Sequence, residues 1–156
     1  MPIDWGIVAR AIHVVAVVVW IGGVWLVTTV LLPAMRLKRP EEWIAEFDAI
    51  EQRFALQARA AVLLVLLSGL YMLYAYDLWD RFADGRYWWM HLMVAVWLLF
   101  AALLFLIEPL IVPRIVCRRA AAPGATLTRM LWMHRVMLTL SLLAIFAAVA
   151  GAHGLF

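Results

Sequence analysis

Four side chains in this sequence suit acid–base or metal chemistry, the histidines His13, His91, His134 and His153. His13 sits in the apolar run 9–32, and residues 14–35 are 22 positions without a charge. That is long enough to cross a hydrocarbon core, which needs roughly 20 residues. A histidine inside such a helix costs free energy unless something uses it. His91 stands near the start of a second apolar run, His134 near the start of a third, and His153 at the end of that third run. With antiparallel helices and the usual rise per residue, His13 lies roughly 12 Å and His91 roughly 8 Å below the same membrane surface. His153 belongs to that surface as well, while His134 is alone at the opposite end.

Methionines form the other chemically pointed pattern. Met130, Met133, His134 and Met137 fall on one helical face, and Met90-His91-Leu92-Met93 follows on a different helix. Thioethers with imidazole suit Cu(I), but the two groups lie at opposite ends of the chain's apolar runs, and methionine is a common filler of apolar cores. Glu108 is the one carboxylate inside an apolar run, and pairing with Arg59 or Arg114 is expected. Cys117 stands alone in a basic loop, which excludes a disulfide framework and a cysteine metal motif. No Ser/His/Asp set, glycine-rich phosphate loop or zinc spacing is present.

The elements that position these residues follow from composition. The chain has 156 residues, 68% hydrophobic and 15% charged, where soluble domains are close to half apolar. This predicts an all-α integral membrane protein, a single domain over 1–156 folded as a four-helix up-down bundle. The helices are expected at 4–32, 56–76, 86–112 and 126–153, with Pro33 and Pro113 as breaks. The first run lacks a preceding basic region and does not read as a signal peptide. Between helices 1 and 2, Trp43, Phe47, Ile50 and Phe54 recur at helical spacing with Glu42, Glu46 and Glu51 between them. The segment 40–55 is therefore an amphipathic helix, either lying on the membrane surface or extending helix 2 beyond the bilayer on the cytoplasmic side.

The net charge of +3 does not imply nucleic acid, because the basic residues sit between apolar runs. Arg10, Arg81 and Arg86 fall on one side, and Arg36, Lys38, Arg39, Arg53, Arg59, Arg114, Arg118, Arg119, Arg129 and Arg135 on the other. Ten against three puts the second side in the cytoplasm. Both termini are then outside, which in a bacterial inner membrane means periplasmic. The outer side is also aromatic, with Trp5, Tyr74, Tyr76, Trp79, Tyr87, Trp88 and Trp89 forming an interfacial belt.

Helices 1 and 3 are diagonal in such a bundle. Packed neighbours stand 8–10 Å apart, so a diagonal pair is roughly 11–14 Å apart, enough for two imidazoles to close on one metal. His13 and His91 are thus expected as axial ligands of one b-type haem near the outer leaflet. His153 is the substitute ligand. A second haem at His134 would need a methionine or an open position. Gly22, Gly23 and Gly69 leave room for close backbones or a flat macrocycle. Arg10, three residues before His13, reaches either a haem propionate or the headgroups. Without a cofactor, each histidine would simply hydrogen-bond within the bundle.

The run Arg10-Ala11-Ile12-His13, then Trp20 and Gly23, resembles the first helix of the four-helix membrane protoporphyrinogen IX oxidases and of the related copper-resistance D-type membrane domain, with its H-x6-W-x2-G pattern. Glu51-x-Arg53, Ser68-Gly69-Leu70 and Trp89-Met90-His91 are similar to the same group. The resemblance implies b-type haem at His13 and His91, with Arg10, Trp20 and Gly23 beside it. The chain departs from the oxidases at Met93, where they have lysine, and at Arg10, where the basic residue is also lysine. Both departures turn the reading from porphyrinogen oxidation to electron transfer, with quinol as a lipid-soluble partner. Protoporphyrinogen IX oxidation in haem synthesis, with a porphyrin as substrate, is the enzymatic alternative. Copper handling is the metal alternative, and a cofactor-free assembly partner is the fourth. The reading leaves room for a homo-oligomer.

Overall fold

A computed structural model of the chain describes residues 3–110 and 123–155, apart from the side chains of residues 40, 41, 43–45, 48 and 123. The Trp43 side chain, Arg114, Cys117, Arg118, Arg119 and the expected end of helix 3 at 112 lie outside this set. The described residues form helices and short turns without strands. Four helices are long and apolar enough to span a bilayer, at Trp5–Met35, Ala49–Ala75, Gly85–Leu110 and Gly124–Ala152. The chain is a multi-pass membrane protein of the all-α, four-helix class.

Helix α1 (Trp5–Met35) begins where the Asp4 carboxylate accepts the Gly6 and Ile7 amides at 2.8 and 3.3 Å, satisfying donors that a first turn leaves orphaned. Pro33 does not end it. The backbone widens into a π-turn over Val27–Leu31, where the Leu32 amide bonds back to the Val27 carbonyl, and the helix runs on to Met35. A proline brings no amide to the ladder, and the wider turn accommodates that loss. The Thr28 and Thr29 hydroxyls donate back to the carbonyls of Val24 and Trp25 at 2.6 and 2.8 Å.

Helix α2 is Pro40–Ala75, 36 residues in one piece, about 54 Å at 1.5 Å per residue. The amphipathic segment is therefore continuous with helix 2, the second of the two arrangements expected. Its Phe47 is buried in a cluster with Val27, Leu32, Met35, Leu127 and Leu131, so the extension packs on the bundle. Helix α3 starts at Trp88 after two short 3-10 turns, passes through a second π-turn at Leu103–Ile107 and continues to residue 110. Helix α4 is Pro123–Ala152.

Packing is closest between α1 and α2 and between α3 and α4. Each helix turns one stripe inward at heptad-like spacing. On α1 it is Ala9, His13, Ala16, Trp20, Val24 and Val27; on α3 it is Trp89, Met93, Val96 and Phe100. The central cluster joins all four helices through Trp20, Val62, Val65, Val96, Phe100, Met137, Leu138 and Ala144. Large rings settle on glycines. The Phe54 ring occupies the place of a Cβ on Gly23, and the Trp89 indole that of a Cβ on Gly151. Both approaches require glycine, because a methyl group there would collide with a ring.

Candidate functional site

His13 lies on the inward stripe of α1 and is half-buried. Its Nδ1 stands 3.1 Å from Ser68 Oγ on α2. The Ser68 hydroxyl donates to the carbonyl of Leu64, with Val65 a second acceptor at 3.3 Å. With its only proton committed to the backbone, Ser68 Oγ accepts, so Nδ1 carries the proton in His13. In the neutral ring, this leaves the lone pair on Nε2. A ring nitrogen held by a second residue, with the other nitrogen available, is how ligating histidines are oriented. Gly69 makes the fit: the His13 Cε1 lies 3.4 Å from where its Cβ would stand.

Trp20 is 4% exposed and meets Phe100 of α3 edge-on, 4.7 Å between centroids at 89°. Its Nε1 is buried with no hydrogen-bond partner among the described residues. Buried donors are normally satisfied, so this one is available to an acceptor. Gly23 serves as the seat of Phe54, and Gly22 has nothing within 4 Å. Arg10 is exposed and stacks over the Tyr76 ring at 5.4 Å, a cation–π contact.

His91 is placed otherwise than expected. Its ring is exposed and meets Phe82 edge-on at 5.3 Å and 81°. It shares a face with Val94 and Leu98, both exposed. The inward residues Trp89 and Met93 flank it two positions either way, and two residues turn a helix by about 200°. His91 therefore faces away from the stripe that carries His13 across the bundle, and the structure does not bring this pair together. Matching depth on diagonal helices suggested the pair; helical phase separates it. His134 is half-buried, with Nδ1 donating to the Met130 carbonyl at 2.9 Å, and His153 is exposed, with Nδ1 donating to the Val149 carbonyl at 2.8 Å. Both are local bonds within α4. Among the four, His13 is the ring fixed by another helix. Met133 is exposed while Met137 is buried, so the methionines near His134 do not face one point. Among the described residues no three of His, Cys, Asp and Glu are grouped to hold a metal ion.

At the end of the bundle away from the termini, Glu108 accepts from Arg59 Nη2 at 3.0 Å, as the sequence anticipated. Arg59 Nε also donates to the Leu104 carbonyl at 3.2 Å. Leu104 lies in the π-turn of α3, where the ladder shifts and leaves a carbonyl without its usual donor. The second bond has no motif in the sequence, whereas the π-turn precedes Pro109 by two residues just as that of α1 precedes Pro33. Trp97 Nε1 donates to the Val62 carbonyl at 3.0 Å, another link from α3 to α2 that apolar patterning hides.

These features define a four-helix membrane bundle with one interhelical, tautomer-fixed histidine near the end that carries the termini. Compared with protein families, curated proteins and solved structures, the chain has no significant match.

A porphyrin-bound iron at His13 would take Nε2 as its ligand. The small residues around it are Ser68 on α2 and Ala144, Ala147 and Ala148 on α4, while the places beside Gly69 and Gly151 are taken by the His13 and Trp89 rings. The unpartnered Trp20 indole faces the same interior.

Proposed function

We propose that this chain is a b-type haem protein of a bacterial inner membrane that relays electrons, with quinol as one redox partner and both termini periplasmic. The observation that carries the reading is His13: an imidazole inside a membrane-spanning helix, its Nδ1 held by Ser68 of the neighbouring helix. Intramembrane ionisable residues mark function by default. The ten-to-three distribution of Lys and Arg supports the orientation.

Haem bound at His13 supplies a one-electron couple. The chain's own part is to hold, orient and insulate. Ser68 fixes the ring plane and holds Nδ1, which leaves Nε2 of the neutral ring as the ligand atom. The Trp20–Phe100 contact forms an apolar floor on the side away from the termini. Trp89, seated on Gly151, closes the side towards the termini. Arg10 and Tyr76 stand at the rim, where a guanidinium over a ring gives a fixed positive charge. Quinol access is supported by a groove of about 430 Å³ along α1 and α2, lined by Ala11, Val15 and Val19 opposite Gln57, Ala60 and Leu64. Its walls are apolar except for Gln57, which suits a lipid-soluble ring with one polar end.

The test is the absorbance of purified protein from haem-replete cells, before and after dithionite. Split α and β bands with about one haem per chain are expected, and His13→Ala should remove them. Stoichiometric haem surviving that substitution would refute the reading.

A further inference from the structure

The Trp20–Phe100 contact fixes how α1 and α3 face one another across the bundle. His13 is seven residues before Trp20, and Met93 is seven before Phe100. Seven residues are two turns less about 20°, roughly 10 Å of rise. A heptad step therefore keeps a residue on the same face and moves both partners equally far towards the termini. The residue of α3 that stands opposite His13 is Met93. Burial is consistent: Met93 packs against the central cluster and against the Trp89, Met90 and Ala147 cluster, as does Leu92, and of the two only Met93 stands a heptad before Phe100. Beside this pair stand Ser68 of α2, bonded to His13, and Ala147 of α4, in the cluster against which Met93 packs.

We infer that the iron held at His13 takes Met93 Sδ as its second axial ligand, an imidazole–thioether pair drawn from diagonal helices. This rests on the haem reading above and deepens it. The donor chemistry is consistent: thioether with imidazole is an established axial set for haem iron, and it raises the reduction potential relative to two imidazoles. Ser68 and Ala147, on the other two helices, are the small side chains beside this pair. The other candidate ligand on α3, His91, is exposed on the opposite face against Phe82.

The experiment uses the full chain purified in detergent from haem-replete membranes, with axial ligands read by magnetic circular dichroism and electron paramagnetic resonance and haem counted by the pyridine assay. The wild type should show the weak near-red thioether-to-iron band of the ferric state. Met93→Leu should lose that band and become five-coordinate while His13 still holds haem. Met93→His should gain a bis-imidazole signature and a lower potential, which a merely structural methionine would not produce. His91→Ala should change nothing. A bis-imidazole signature in the wild type, a change on His91→Ala, or an unaltered spectrum in Met93→Leu would overturn the inference and leave the haem reading standing. Protein that is colourless and takes up no added haemin would overturn both.

Discussion

The two ends of the bundle are held by different chemistry. Towards the termini three rings rest on glycines, Tyr76 on Gly6, His13 on Gly69 and Trp89 on Gly151, where the far half has Phe54 on Gly23. At the far end, charge and hydroxyls mend an irregular backbone. Arg59 reaches the Leu104 carbonyl beside a π-turn and pairs with Glu108, while Thr28 and Thr29 bond back along the π-turn of α1. The first end gains close contact and leaves a ring nitrogen and an indole N–H unused. Among the described residues, these four side chains at the second end bond within the bundle. Spare donors at the first end give it capacity for a ligand.

The largest expected effect falls at the far end. Removing one partner of a sheltered ion pair leaves the other uncompensated. Side-chain exposures of 34% and 23% reduce the penalty from its fully buried range, so Glu108→Ala should cost about 2–3 kcal/mol. Arg59→Ala should cost as much, since it also strips the Leu104 carbonyl of its donor. Melting in detergent by circular dichroism measures both, and the double variant should lose less than the sum. Additive losses would show that the pair does not tie α2 to α3.

Glycine seats come next. Gly151→Ala pushes a methyl into the Trp89 indole and Gly23→Ala into the Phe54 ring, and overpacking of this kind costs about 1–2 kcal/mol. Gly22→Ala is the control, because nothing lies within 4 Å; it should be neutral or slightly stabilising. The same melts decide. Equal losses at positions 22 and 23 would mean that helix propensity, not ring seating, matters there.

Ser68→Ala separates packing from ligand orientation. The side chain is small and the fold should hold, but His13 loses the acceptor that fixes its tautomer. Haem retention should fall on the order of tenfold, the usual scale for losing a group that orients a ligand. Titration of haem-depleted protein with haemin reads this, and Ser68→Thr should restore most of the affinity. Full retention in Ser68→Ala would place His13 orientation elsewhere.

The four spans were legible because apolar runs of this length have one solution in a bilayer. The Arg59–Glu108 pair was legible too, since a lone carboxylate in such a run needs a cation. His13 was marked by its setting. Its partner across the bundle was not, because depth can be counted along a sequence while the direction a helix faces must be anchored by a contact. Trp20–Phe100 is that anchor, and once it is known Met93 follows by counting. The persistence of α1 past Pro33 was also hidden: proline signals a break, and only the backbone shows that a widened turn absorbs it.

The smallest expected effect lies in the loop joining α2 to α3, and it probes the comparison from the other side. Asp84 accepts the Arg86 amide at 3.0 Å and its guanidinium at 2.7 Å. That hydrogen bonding holds the Asp84 carboxyl below its ordinary value. A depressed value in the folded state contributes stability above the unfolded carboxylate value of about 3.9 and loses it as pH falls through the folded one. Wild type and Asp84→Asn should therefore differ slightly in melting temperature near pH 6 and converge below about pH 4. The pair is local and solvated, and exposed pairs contribute little. If Asp84→Asn instead cost as much as Glu108→Ala, charge would matter as much near the termini as at the far end, and the division of labour between the two ends would fail.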